Sequence, residues 1–388
     1  MQLFEDTSFF ILLILTAIPA IVLGVHERPI RRYGFAVSIL FVVLSMYKKP
    51  SGLLYLAAYC LLEWALIKGY VRIRTAGGRD TFVYRLFLAL SLTPLVLYKV
   101  TVSPLLQGAP HIFGFIGISY MTFKTAQMII EIYDGIIREV SSFELLYLLL
   151  FFPAVTSGPI DRSRRFCSDI ERVIPKDEYL SMVGDGIYML FKGLMYKSVF
   201  GAGCYALLQW FGMGRDTKSV LIYMYMYGFY LFFDFAGYSL MAIGASKIFG
   251  VNTPANFNAP FISKDIKEFW DRWHITLSHW FRDYLFSRIT MAIISSRKTR
   301  NKLLIAGTAF MINMGVMGLW HGLEWHYIAY GLYHGILLTG CEIYQKKSKF
   351  YRKHKKNRIF IAVEILITFH LVMFGFLIFS GRLGALIK

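Results

Sequence analysis

Long apolar runs separated by short, charged connections recur along the whole chain. Several runs reach the roughly 20 residues that an α-helix needs to cross the hydrocarbon core of a bilayer. The core of a soluble protein does not repeat uninterrupted runs of this length. The pattern therefore predicts an all-α polytopic membrane protein. Its predicted spans are 9–25, 35–46, 52–67, 86–100, 115–132, 182–207, 220–245, 303–320, 325–343 and 359–379.

The composition agrees with a membrane protein. Of the 388 residues, 56% are hydrophobic and 17% are aromatic. The first run follows Glu5 and Asp6 rather than a basic stretch, and no small-residue cleavage site comes after it, so we interpret it as a span and not a signal peptide. No internal repeat or second soluble domain is visible. We expect one membrane domain, with N-terminal spans in 1–110, a core in 111–345, and a basic loop and last span in 346–388.

The net charge of +18 is concentrated in the connections between the apolar runs. Basic clusters beside spans follow the positive-inside rule and attract anionic lipid, and no nucleic-acid-binding signature accompanies them. We therefore place the loops 26–33, 68–84 and 344–358 in the cytoplasm, which puts the N-terminus outside. This topology requires the apolar stretch 143–156 to be re-entrant or buried, without a full crossing.

The longest predicted connection, about 252–302, contains an amphipathic segment. Interpreted as one helix, it has an apolar stripe with spacings of three and four residues, formed by Trp270, Trp273, Leu277, Trp280, Phe281 and Tyr284. The opposite face carries charged residues, among them Arg272 and Arg282. Such a helix lies at the membrane interface or dips into the protein. His274 is at the border of the apolar stripe.

The apolar segment 314–335, "MGVMGLWHGLEWHYIAYGLYHG", contains three histidines. His321 lies between a tryptophan and a glycine at a break between two spans, and histidine exchanges protons readily near neutral pH. An ionisable residue inside a membrane is a functional candidate. We expect His326 and His334 to be packed rings with satisfied nitrogens. His321 and His326 would point about 140° apart on a helix, and the four cysteines are far apart, so no metal site is predicted.

Other polar residues accompany the apolar runs. The stretch "TSGPIDRSRRF" is either the ordinary end of an apolar run or a site for an anionic group such as a carrier's phosphate, which arginine binds well. The span that contains Ser119 is too polar to face lipid, so one of its faces should line protein or water. Asp234, in "FFDFAGYS", is expected to be buried similarly. No P-loop, nucleophile elbow or dinucleotide fingerprint occurs.

Two motifs carry a resemblance to a known family. "EFWDRWHITLSHWFRDYLF" is followed about forty residues later by "NMGVMGLWHG", and this order in a polytopic chain resembles the membrane-bound O-acyltransferase (MBOAT) superfamily. The stretches "GISYMTFKTAQ", "FFPAVTSGPIDRSRRF", "FFDFAGYS" and "NFNAPFISKDIKEFW" look like its DltB branch, the D-alanyl transfer proteins of the teichoic-acid pathway of Gram-positive bacteria. The likeness extends from about 117 to 335.

The resemblance implies a fold and a reaction. The fold would be a ring of about 10–11 transmembrane helices, with re-entrant and amphipathic helices around a central funnel that leads from the cytoplasm to His321. The reaction would take D-alanine from the phosphopantetheine thioester of a small carrier protein and pass it outward for D-alanylation of (lipo)teichoic acid in the cell wall. His321 would act as general base, and His274 would orient a reactant or polarise the carbonyl.

The resemblance also implies partners. These are the D-alanyl carrier protein (DltC-like), a DltD-like membrane protein, a small single-span protein and lipids, with no nucleic acid. The chain would need no cofactor of its own, because the phosphopantetheine arm belongs to the carrier. The candidates for binding the donor or its carrier are Arg162, Arg164, Arg165, Arg272, Arg282, Ser119 and Asp234.

Two alternatives stay open from the sequence. The alginate O-acetyltransferase branch is similar around 273–274 and 320–321, but it typically has a "GGNR"-like stretch where this chain reads "SRITMAIISSRKTRNK". A membrane transporter or channel would also place polar groups inside a helix bundle, but it predicts paired acidic residues or paired broken helices at the bilayer midplane. Each alternative is a multi-pass protein of the cell membrane.

Overall fold

A computed structural model of the chain describes residues 1–103, 114–297 and 299–387. Every regular element in these ranges is a helix, and one isolated β-bridge joins Phe257 to Trp273. The α-helices are, in chain order, α1 Thr7–Val25, α2 Arg31–Met46, α3 Pro50–Gly77, α4 Thr81–Val102, α5 Ile118–Tyr133, α6 Ser142–Leu150, α7 Ser163–Glu171, α8 Lys176–Met195, α9 Ala202–Phe211, α10 Thr217–Ile248, α11 Ile266–Arg272, α12 Ile275–Trp280, α13 Ser287–Ser295, α14 Lys302–His321, α15 Trp325–Lys347, α16 Lys349–His354, α17 Arg358–Phe379 and α18 Arg382–Ile387.

Six helices within the described ranges are long and apolar enough to cross a membrane: α1, α3, α4, α10, α14 and α17. The chain is therefore an all-α polytopic membrane protein, as the pattern predicted. The predicted spans at 35–46, 115–132, 182–207 and 325–343 are also helical, but each is shorter or more polar than those six. The count of 10–11 spans, the ring and the funnel stay predictions.

Contacts within the chain define two compact units. The first comprises Met1–Met195 and Gly237–Ala255, and the second comprises Tyr196–Ala236 and Asn256–Lys388. We expected one membrane domain, subdivided near 110 and 345. The contacts do not test this expectation, which stays a prediction.

The first unit has a polar interior. Helix α5 is buried from Met121 to Tyr133, so it packs inside protein and does not face lipid. The Lys124 ammonium inside it donates a hydrogen bond of 2.8 Å to the carbonyl oxygen of Leu148, near the end of α6. Helix α6 has nine residues, about 14 Å in length, and cannot cross a bilayer core. That the stretch 143–156 does not fully cross the membrane stays a prediction of the topology, and the shortness of α6 supports it.

The second unit contains a tight helical hairpin of α14 and α15. Glycines let the two backbones approach: a Cβ added at Gly331 would lie 2.3 Å from the carbonyl oxygen of Met314, and one at Gly318 would lie 2.5 Å from that of Tyr327. Small residues at helix contacts allow this close packing in membrane proteins. The hairpin turn, 322–324, directly follows His321.

The amphipathic segment is not one helix, contrary to the sequence prediction. Helix α11 ends at Arg272, and α12 begins at Ile275. Between them the backbone pairs with an earlier extended stretch: the Asn258 amide donates to the Arg272 carbonyl at 3.0 Å, and the Ile275 amide donates to the Asn256 carbonyl at 2.9 Å. The apolar stripe is nevertheless buried from Trp270 through Phe281, as expected.

Candidate active site

His274 occupies the break between α11 and α12. Its backbone is left-handed, with φ 44° and ψ 52°. A residue with a β-carbon pays roughly 1–3 kcal/mol for such a conformation, and such strain is concentrated at functional sites. The pairing with Asn256 and Asn258 holds the strained backbone in place. The break turns the histidine inward, and only 5% of its surface is exposed.

His321 is the last residue of α14. The following Gly322 is extended, and a Cβ there would lie 2.5 Å from the Tyr327 ring, so a side chain would clash. The imidazole packs against the Trp320 ring at a centroid distance of 4.6 Å and against the Phe379 ring at 5.0 Å. The predicted break between two apolar helices is confirmed.

The two histidines line the same cavity of about 60 Å³ within the second unit. The other walls are apolar or aromatic and come from five helices and the break: Leu231, Phe235, Trp270, Trp273, Leu277, Tyr330, Phe376 and Phe379. The sequence motifs named His274 and His321 but not Tyr330 or Phe379. Nothing in the sequence around those two residues indicates that they line the cavity, because only the packing of helices that are distant in the chain brings them there.

The nitrogens of His274 are suited to binding a reactant. Its Nε2 has no hydrogen-bond partner among the residues that the structure describes. The segment is outside the six apolar helices, and burial, followed by the nearby His321, lowers the pKa of His274 to about 3. The imidazole is therefore neutral near pH 7. A neutral ring in the same cavity as His321 can donate or accept a hydrogen bond while the other histidine takes up a proton.

A larger cavity of about 270 Å³ is also in the second unit. Charged and polar side chains line one part of it: Lys267, Asp271, Ser278, His279 and Arg282. Phe286, Phe310, Met314, Met317 and Leu338 form an apolar part. Asn313 lines it as well, and its Oδ1 has no hydrogen-bond partner within the described ranges. Trp270 lines both this cavity and the histidine cavity. Sequence reasoning missed Asn313, although an amide in the apolar α14 was a usable signal.

The arginines of the amphipathic segment differ in their surroundings. Arg272 pairs with Glu268 at 2.7 Å, as the four-residue spacing predicted, and also donates to the Asn258 carbonyl at 3.3 Å. Its bonds hold the segment around His274 together. Arg282 is more than half exposed, and its Nη1 lies 3.6 Å from Asp271 at the larger cavity. Arg282 is therefore the more accessible cation of the two.

Asp234 is half-exposed, where we expected burial. It lies on α10 in the second unit and accepts a hydrogen bond of 2.6 Å from the Lys197 ammonium. It lines neither of the two cavities described above. We expected burial because the sequence neighbours of Asp234 are apolar. Apolar neighbours do not determine the direction in which one side chain points.

The remaining candidates belong to the first unit. Ser119 is in the first turn of α5 and half-buried. The Arg165 guanidinium donates to Asp161, to Asp169 at 2.7 Å and to the carbonyl of Asn252. Arg164 is exposed, with its Nε 3.6 Å from Glu131 Oε2. The Arg162 side chain is partly buried. Of the three arginines, Arg164 is the most available to a partner, whereas Arg165 is held by internal bonds.

The other two histidines of 314–335 differ from each other. His326 lies with its Nε2 3.2 Å from a Glu324 carboxylate oxygen and packs on Tyr327. His334 is fully buried among aromatic rings, but neither of its ring nitrogens has a partner among the described residues. The described residues therefore do not supply the partners that we expected for the His334 nitrogens. Nowhere in the described ranges do three potential metal ligands come together.

Comparison with known proteins places this chain in a family. The sequence profile of the membrane-bound O-acyltransferase family matches residues 53–380. A teichoic acid D-alanyltransferase of Bacillus subtilis (strain 168) is 40% identical over 390 residues, 98% of each chain. One of Streptococcus thermophilus is 38% identical over 99% of this chain and 96% of its own. A probable alginate O-acetylase of Pseudomonas aeruginosa is more distant, with 32% identity over 70% of this chain and 50% of its own. The chain is an acyltransferase and belongs to the membrane-bound O-acyltransferase family.

Proposed function

We propose that this protein transfers D-alanine onto teichoic acid. The observation that carries the proposal is the near-full-length similarity to proteins named teichoic acid D-alanyltransferase, which covers 98% of both chains in one case. The similarity spans both motifs that supply His274 and His321 to one cavity. An acyl transfer site needs a proton acceptor and a hydrogen-bond donor close together, and two imidazoles meet this need.

In the proposed reaction, His321 is the general base. An acceptor hydroxyl oxygen attacks the carbonyl carbon of a D-alanyl thioester while its proton passes to His321. The carbon–sulfur bond then breaks, and the protonated imidazole returns the proton to the leaving sulfur. General-base assistance of this type contributes about 10²–10⁴-fold to a rate. His274, neutral and with a free Nε2, orients the hydroxyl or stabilises the carbonyl oxygen as negative charge develops.

The donor in this proposal is D-alanine on the phosphopantetheine arm of an acidic carrier protein. The larger cavity suits such an arm, because cationic side chains at Arg282 and Lys267 are followed by apolar walls and the amide of Asn313. The phosphate of the arm would bind near the cationic side chains. The uncharged remainder of the arm, which contains amide groups, would lie along the apolar walls and beside Asn313. The carrier would dock on the basic cytoplasmic side, with the N-terminus of the chain outside the cell. A DltD-like protein and a small single-span protein would be its partners in the cell membrane.

An O-acetyltransferase of another extracellular polysaccharide is the less supported alternative. The alginate O-acetylases share the reaction class, but they match less of this chain and at lower identity. The two functions differ in the donor's acyl group, so a donor comparison separates them. The transporter alternative is dropped, because the chain belongs to an acyltransferase family.

The direct test is D-alanine incorporation by cells that carry His321→Ala. We expect incorporation into cell-envelope polymer to fall by about 10²-fold or more, because the general base is lost, while the protein accumulates in membranes as the wild type does. His326→Ala is the matched control, since it removes a histidine of the same segment that does not line the cavity. Wild-type incorporation by His321→Ala would remove the proposed base. Transfer of acetyl but not D-alanyl groups by the purified wild type would favour the alternative.

A further inference from the structure

His334 is enclosed by aromatic side chains in the second unit, directly behind the histidine cavity. None of its surface is exposed. Its ring makes edge contacts with Tyr330 at 4.6 Å, with Trp270 at 5.2 Å and with Tyr333 at 5.4 Å between centroids. Phe269 stacks on it at 6.4 Å. Aromatic walls of this kind do not by themselves call for an imidazole, because they offer its nitrogens no hydrogen-bonding side-chain nitrogen or oxygen other than those of Trp270 and the two tyrosines.

The glycine at position 375 makes room for the imidazole. A Cβ at Gly375 would lie 2.7 Å from His334 Nε2. Both His334 nitrogens nonetheless lack a hydrogen-bond partner in the part of the chain that the structure describes. A buried polar group without a partner is unfavourable, and nearly all such groups in native proteins are hydrogen-bonded. The imidazole at this position therefore needs a polar partner.

A complementary group is the indole of Trp270, whose ring centroid lies 5.2 Å from that of His334. Its Nε1 is buried and has no acceptor among the described residues. Indole nitrogen is a donor only, and a neutral imidazole always offers one acceptor nitrogen. The two rings are in contact, so a small rotation or one bridging water would join them. Trp270 is also the side chain that lines both cavities, and Tyr330 touches both His334 and His321.

We propose that His334 is a positioning residue for acyl transfer: it accepts a hydrogen bond from the Trp270 indole, directly or through one water, and so fixes the wall shared by the two cavities. His334 does not touch the reactants. Its effect passes through the orientation of Trp270, and through Tyr330, to the space beside His274 and His321. The inference rests on the proposed function, because the reaction that it affects is the transfer of D-alanine from its carrier.

The matched pair His334→Gln and His334→Met tests the proposal. The two side chains have similar length, but glutamine offers the indole a strong acceptor oxygen, whereas the methionine sulfur is only a weak acceptor. With purified protein and the D-alanyl carrier as donor, we expect His334→Met to lower kcat roughly 3- to 10-fold with little change in KM, the size expected for one hydrogen bond. His334→Gln should recover most of the rate. His370→Phe, at a histidine that bonds Tyr225 and lines neither cavity, should leave kcat unchanged.

A double-mutant cycle with Trp270→Phe tests the route of the effect. If His334 acts through Trp270, the double variant Trp270→Phe/His334→Met should be no slower than the slower single variant. Losses that multiply would show two independent roles and overturn the proposal, as would equal rates for His334→Gln and His334→Met. If His334→Met does not accumulate, His334→Gln can replace it in the cycle. The ratio of its kcat to that of the wild type, measured with and without Trp270→Phe, still gives the coupling between positions 334 and 270. A wild-type enzyme without D-alanyl transfer would instead contradict the proposed function.

Discussion

At the scale of single residues, the left-handed backbone of His274 has a practical consequence for mutagenesis. Asparagine tolerates this conformation better than most residues, whereas alanine does not. Asparagine also keeps a hydrogen-bonding side chain but cannot titrate. His274→Asn therefore separates the chemistry of the imidazole from the strain of the backbone, which an alanine substitution combines.

The lowered pKa of His274 predicts a pH dependence of stability. Folding holds the imidazole neutral down to about pH 3, whereas the unfolded chain takes up a proton near 6.5. Between these values the unfolded state binds more protons, so the free energy of unfolding falls as pH decreases through this window. We expect thermal unfolding in detergent to show a smaller loss between pH 7 and pH 4 for His274→Asn than for wild type. His370→Asn gives the comparison. Parallel curves for wild type and His274→Asn would contradict the prediction.

The sequence indicated both cavity histidines because each interrupts an apolar pattern in a recognisable motif. It did not indicate that Trp270 would line two cavities or that His334 would lack partners. Those properties depend on which rings meet across helices that are distant in the chain. The sequence likewise did not separate Arg164 from Arg165, since the acceptors of Arg165 include the carbonyl of Asn252, 87 residues away.

At the scale of elements, the break between α11 and α12 was the main error of the sequence-based prediction. The three- and four-residue spacing runs unbroken through Trp273 and His274, and neither glycine nor proline marks a helix end there. The interruption comes from backbone bonds to 256–258 and from the Thr276 hydroxyl, which donates to Asn256 Oδ1 at 2.6 Å. A tertiary contact of this kind interrupts the helix, and the spacing of apolar residues in the sequence gives no sign of the interruption.

The α14–α15 hairpin predicts a strong effect for one added methyl group. Gly331→Ala places a Cβ 2.3 Å from a backbone oxygen, which cannot move aside as a flexible side chain can. We expect a loss of about 1–3 kcal/mol in stability, the typical cost of overpacking, together with reduced transfer because His321 ends α14. Membrane accumulation and the unfolding temperature in detergent measure this.

Gly315→Ala on α14 is the control for the hairpin. A Cβ at Gly315 meets nothing within 4 Å, so the substitution should be neutral or slightly stabilising. Equal stability of the two alanine variants would show that the close approach at Gly331 is not a constraint.

At the scale of the whole molecule, hydropathy and charge were sufficient for the class of fold. Long apolar helices and the absence of strands in the described ranges follow directly from the run lengths. The number of spans was harder to predict, because α2 and α5 have 16 residues each and α15 carries two histidines and a charged C-terminal end. Short or polar helices reach membrane depth only when neighbours shield them, which a linear pattern does not record.

The net charge of +18 predicts an electrostatic contribution to carrier binding. We expect Arg164→Glu to weaken binding of the purified protein to the acidic D-alanyl carrier several-fold, and added salt to weaken the wild-type complex. Arg164 is suitable because it is 64% exposed and only loosely paired with Glu131. Arg165 is unsuitable, since its reversal would break internal bonds to two aspartates.

Arg215→Glu is the matched control for this titration. Arg215 is exposed in the connection between α9 and α10, which the proposed topology places on the outer side. The same charge change there should leave carrier affinity unaltered. Equal weakening by both reversals would indicate a general effect of net charge without a docking site at Arg164, and it would leave the chemistry of His321 untouched.

The glycine contacts of the α14–α15 hairpin also determine where motion can occur during turnover. Two backbones in direct contact have no layer of side chains that can repack, so neither helix can slide along the other without a clash. His321 is therefore attached to a nearly immobile element. His274 is attached to an irregular segment that is held by a few hydrogen bonds to 256–258. When a substrate enters, we expect the distance between the two imidazoles to change mainly by movement of His274. His321, the proposed base, would stay in place.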